Sequence, residues 1–151
     1  MRNTLNLLVT ATFLAVPVFA GALTLQVDDL KSNPEAVAKN AAVVAHITAC
    51  RSPEKTAVTA TAEGIVNGKR QTLPLRVVNL SEPGAFAVTH EWPRESIWTV
   101  KMIATNPDYK DFATSVVIPI QNDMARPATS RVFYHAPAAE EVNSVLKQAT
   151  L

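Results

Sequence analysis

The sequence predicts a mainly β protein, an antiparallel β-sandwich carrying a short helix near each end. Three observations lead there. Six stretches of alternating or β-branched residues recur about every dozen residues, turn chemistry falls between them, and no strand–helix–strand alternation or internal repeat interrupts the series.

The elements follow in order. Residues 22–28, "ALTLQVD", add an edge strand, and "SNPEAVAKN", 32–40, has Ser32 or Asn33 to cap a short helix with Pro34 at its first position. "AAVVAHITAC", 41–50, is a β-branched strand. "TAVTATAEGIV", 56–66, alternates, with Val58, Ala60 and Ala62 on one face and Thr59, Thr61 and Glu63 on the other. Asn67-Gly68 then predicts a hairpin, because both positions of a type I′ turn need positive φ. "KRQTLPLRVVNL", 69–80, reads as one strand, at an edge or bulged at Pro74, which has no N–H for a ladder. "SEPG" turns into "AFAVTHEW", with Phe86, Val88, His90 and Trp92 on one face. "IWTVKMIAT", 97–105, sends Trp98, Val100, Met102 and Ala104 one way, and "FATSVVIPI", 112–120, closes the series. A further short strand is expected at Ser130 to Tyr134. In "PAAEEVNSVLKQA", 137–149, early Glu140 and Glu141 and late Lys147 suit a helix dipole, and Val142, Val145 and Leu146 form a docking stripe.

The chain therefore divides into residues 1–20, an N-terminal flank over 21–40, a sandwich core over 41–121 and a C-terminal extension with its helix over 122–151. Residues 1–20 read as a signal peptide: Arg2 is the charged start, Leu5 to Val18 is an apolar run, and Val18-Phe19-Ala20 offers the small residues a signal peptidase prefers. That run is shorter than the roughly 20 residues of a bilayer span. The expectation is a periplasmic or secreted protein with no membrane span after cleavage. Without Arg2 the 14 lysines and arginines drop to parity with the 13 acids, and no long run of one sign occurs, which argues against a nucleic-acid footprint. Cys50 is the only cysteine, so no internal disulfide forms; a buried hydrophobe, a free thiol and an intermolecular bridge are all open for it.

The candidate site lies in "FAVTHEWPRESIWTV", 86–100. His90, Glu91 and Trp92 are the candidate ligand-binding residues, with Trp92 at a strand end before Pro93, where a ring is commonly half exposed and can stack on a sugar or peptide. Core packing competes with that reading for Trp92, and a structural histidine for His90. Trp98 shares parity with Val100 and Met102 and belongs in the core. His90, His46, His135 and Met124 form an alternative, copper-binding set, since Cu(I) favours soft sulfur beside imidazole. No other cofactor is indicated. Serines lack a nucleophile elbow, so the chain reads as no enzyme, and its partner as a protein, envelope component or glycan.

Pro83-Gly84, Phe86 and Trp98, in "LSEPGAFAVTHEWPRESIWTVKM", carry a resemblance. This order resembles the P-G-x-[FY]…G-x-W-x-[VL] core of small exported bacterial immunoglobulin-like domains of the YtkA-like type. The glycine usual just before the tryptophan is replaced by Ser96-Ile97. The resemblance implies an immunoglobulin-like sandwich. Some such domains are associated with copper or with respiratory-complex assembly, but no ligand motif of theirs maps onto residues here.

Overall fold

The computed structural model describes residues 23–49, 51–94, 96–109 and 112–148. The leader expected at 1–20 and Cys50 lie outside the described residues. Two antiparallel sheets face each other across an apolar core. The first holds β1 (Thr24–Asp28), β2 (Ala41–Thr48), β6 (Ala85–Thr89) and β5 (Val77–Asn79), in the order β1-β2-β6-β5. The second runs β10-β8-β7-β3-β4, from β10 (Arg131–Phe133), β8 (Ala113–Gln121), β7 (Ile97–Thr105), β3 (Ala57–Val66) and β4 (Lys69–Leu75). A two-residue β9 (Met124–Ala125) pairs beside β8. Both flanks of the expected 41–121 core thus contribute strands.

Period-two alternation builds the core. Val43, Ala45, Ile47 and Val88 point inward from the first sheet, and Ala60, Ala62, Trp98, Val100, Met102, Val116 and Ile118 from the second. Trp98 is fully buried, and its ring lies against Gly64, its register partner on β3. Asn67 and Gly68 take positive φ of 50° and 74°, closing the β3–β4 hairpin. At the opposite end Gly84, φ 79°, lets its carbonyl accept from the Ile47 N–H at 2.8 Å, seating the Pro83-Gly84 turn on β2.

The single strand expected over 69–80 is two. The chain leaves the second sheet after Leu75, crosses at Arg76, and enters the first sheet as β5. Pro74 is accommodated because β4 is an edge strand.

Helix α1 (Pro34–Ala38) is capped by Asn33, whose Oδ1 accepts from the Ala36 N–H at 3.0 Å. Helix α2 (Ala139–Gln148) lies on the outer face of the second sheet, burying Val142 and Val145 against Val117 and Phe133. That docking explains an unexpected burial. Glu63, on the polar face of β3, is only 5% exposed. It accepts from Lys101 Nζ at 2.6 Å and from the Arg70 guanidinium, which also donates to Asn143 Oδ1 of α2 at 2.5 Å. Burial pushes the Glu63 carboxyl up, but the hydrogen bonds and charges of Lys101 and Arg70 outweigh it and hold the group below its ordinary range. Among the described residues no helix is long and apolar enough to cross a membrane.

Candidate functional site

β1 and β8 meet along a seam between the sheets. At one end Thr114 Oγ1 donates to the Leu23 carbonyl at 2.6 Å. Toward the other end the seam widens into a cleft of about 430 Å³, lined by Asp28, His90, Arg94, Asp123, Met124 and Arg126 among others.

Local backbone chemistry places each of these side chains. His90 directly follows β6, its N–H directed at the Asn40 carbonyl, 3.5 Å away. Asn122 and Asp123 both take positive φ, 49° and 64°, and form the two-residue turn of the β8–β9 hairpin. The turn swings the Asp123 carboxylate across the core's end. Its Oδ2 lies 3.3 Å from Arg94 Nε, and its Oδ1 stands 3.0 Å from His90 Nε2 without the alignment of a full hydrogen bond. Arg126 follows β9. Its backbone N–H donates to the Pro119 carbonyl at 3.0 Å, and its own carbonyl accepts from the Thr129 N–H at 3.1 Å.

Trp92 corrects an expectation. It is 4% exposed and belongs to the main core, so its ring offers no half-exposed stacking surface. The cause is the neighbouring tryptophan: Trp98 Nε1 donates to the Pro93 carbonyl at 2.9 Å and draws residues 92–93 over the end of the sandwich. The Trp92 ring packs 4.5 Å from that of His90, centroid to centroid. Glu91 faces elsewhere, accepting from Thr89 Oγ1 at 2.6 Å and lying 3.6 Å from Arg76 Nε. Of the three candidates in 90–92, only His90 lines the cleft.

The copper set separates as well. His46 pairs in register with Ala85 and sits 3.2 Å from the Pro83 carbonyl, at the opposite end of β2 from His90. Five residues of strand make that roughly 17 Å. His135 follows β10 and faces Glu141 of α2 at 3.0 Å. Met124, exposed, shares the cleft with His90. Among the described residues no three His, Cys, Asp or Glu side chains gather into a metal-binding group.

Asp123 and Arg126 were not candidates on the sequence, although the Asn122-Asp123 pair after an apolar strand was a usable turn signal. The buried side-chain polar atoms without a hydrogen-bond partner concentrate around this end of the molecule: His90 Nε2, Trp92 Nε1, Asp123 Oδ1 and Arg126 Nε, with Thr61 Oγ1 the exception among the described residues. No known family model matches the chain, and no curated protein matches it.

Proposed function

We propose that this chain is an exported, non-enzymatic binding protein of the cell envelope, built on an immunoglobulin-like sandwich, with its ligand held in the His90–Arg126 cleft. The order β1-β2-β6-β5 follows strands A-B-E-D of the immunoglobulin fold, and β3-β7-β8 follows C-F-G, which supports that type. It departs from antibody domains in having its core tryptophan on β7 and a lone cysteine. The leader-like pattern of residues 1–20 supports export to the periplasm or beyond.

The binding reading rests on the buried polar atoms that line one cleft: Arg126 Nε lacks a hydrogen-bond partner, and His90 Nε2 and Asp123 Oδ1 face each other at 3.0 Å without making a full hydrogen bond. A buried group without a partner costs about 1–3 kcal/mol, and folding alone gives no reason to leave the Arg126 Nε in that state beside an imperfectly aligned pair. Among the described residues no serine, threonine or cysteine lines the cleft, so the His90–Asp123 pair has no hydroxyl or thiol there to activate. That supports binding over catalysis.

The purified protein should be screened against peptides and envelope glycans by thermal unfolding, with Asp123→Ala as control. A ligand at a hundred times its Kd adds about 2.7 kcal/mol, a readily visible rise in Tm. The expected result is a rise in the wild type that the variant loses; panels that leave both proteins unmoved would remove the proposal. A second reading, copper handling, is favoured by one observation, that His90 and Met124 line the same cleft. Submicromolar copper binding lost in His90→Ala would replace the first reading with it.

A further inference from the structure

We infer that the ligand of this cleft carries a free carboxylate, received by the guanidinium of Arg126. The inference rests on the binding reading above and names the chemistry of its ligand. Arg126 is half-buried, its Nε is sealed from solvent without an acceptor, and no carboxylate of the described residues lies within ion-pair distance of it. Two of the neighbouring acids are engaged elsewhere, and the third, Asp28, makes no ion pair with Arg126. Asp123 serves His90 and Arg94, and Asp29 accepts from the Lys31 N–H at 3.0 Å, capping the turn after β1.

A guanidinium stays charged at every working pH, and leaving it partly desolvated and unpaired is unfavourable. Its planar fork of donors matches the two oxygens of a carboxylate. Nor is this a loosely held surface arginine: the bonds to Pro119 and from Thr129 fix its backbone on both sides, so the side chain starts from an anchored point.

The rest of the cleft selects among anions. Asp28, Asp29 and Asp123 line it together with Lys31, Arg94 and Arg126, a balance of charge that leaves no excess of cations for the double charge of a phosphate and suits the single charge of a carboxylate. Val27, Leu30, Met124 and Pro127 supply apolar wall for the body of a small acid, and about 430 Å³ is within the usual range of small-molecule sites.

The test uses pairs of acetylated dipeptides and aliphatic monocarboxylic acids, each as free acid and as amide, titrated into the purified protein by calorimetry. Inorganic phosphate is a further arm, and Arg126→Gln and Arg126→Lys are the variants. The expected result is that at least one acid binds tenfold or more tighter than its amide, that Arg126→Gln brings acid and amide together, and that Arg126→Lys keeps part of the difference. Circular dichroism and Tm of the variants separate a lost contact from a lost fold. Acid and amide binding alike would leave the site standing and remove the carboxylate. Phosphate binding without any acid would do the same. Silence of every probe overturns the carboxylate; if the glycan and peptide screen is also silent, the site falls with it.

Discussion

Gly64 has no side chain because the ring of Trp98 occupies the place where one would project. A Cβ there would collide with that ring and stand 2.6 Å from the Ile97 carbonyl oxygen. Gly64→Ala must therefore push the largest core residue off its seat, at about 1–3 kcal/mol or more. Urea unfolding measures it, and a change under about 0.5 kcal/mol, the range of ordinary surface substitutions, would show that the ring has room to move. Alternation alone put Trp98 in the core, since inward parity along β7 is a local property. Trp92 was not legible in the same way. Its burial comes from a contact six residues on, between Trp98 Nε1 and the Pro93 carbonyl, and before Pro93 the sequence has only a strand end. His90 was legible as an odd polar residue on an apolar face, but its partner Asp123 arrives from 33 residues away through a turn that periodicity does not report.

At the scale of elements, the Glu63 network joins α2 to its sheet. Sequence pattern supplied the apolar stripe of α2 but not the surface it covers, so Glu63 read as an outward residue. The structure buries it between Lys101 and the Arg70 that reaches Asn143. Glu63→Ala leaves two cations facing each other, and the expected loss is about 3 kcal/mol, the low end for a broken buried ion pair because Lys101 and Arg70 keep partial access to water. Chemical denaturation gives the loss, and hydrogen exchange should show the α2 amides losing protection first. Retained protection in α2 would mean that Val142 and Val145 hold the helix unaided. Strands β4 and β5 show the same limit on local reading. Leu73, Leu75 and Val77 keep one parity across the crossing, yet Arg76 is where the chain changes sheets, and only the opposing strands decide that.

Across the whole molecule, depressed carboxyls set the response to acid. Glu63 is held down by Lys101 and Arg70 against its burial, and Glu35 by the backbone N–H of Ser81. Asp108 is held down by hydrogen bonds from Ser52 and Lys55, and Glu141 by His135 and the Ala138 N–H. Each folded value lies below the unfolded one, so the stability each adds is complete above the ordinary carboxyl range and is lost as pH falls through the depressed value. Urea midpoints should hold steady from neutrality to about pH 5 and fall steeply below it. Glu63→Gln should flatten part of that fall; an unchanged midpoint at pH 3 would contradict the assignment. The two-sheet architecture was the most legible feature, because every strand repeats the evidence for it, whereas the cleft depends on where two edges part. That parting has a mechanical meaning. The sheets are stitched together at Arg76 along one margin and at Leu23–Thr114 along part of the other, like a purse with its clasp at one end. Among the described residues no ladder of either sheet crosses the mouth at Asp28 and Arg126. A guest of the proposed kind would enter there by moving side chains alone, while the hydrogen-bonded fabric on both sides, β9 included, stays whole.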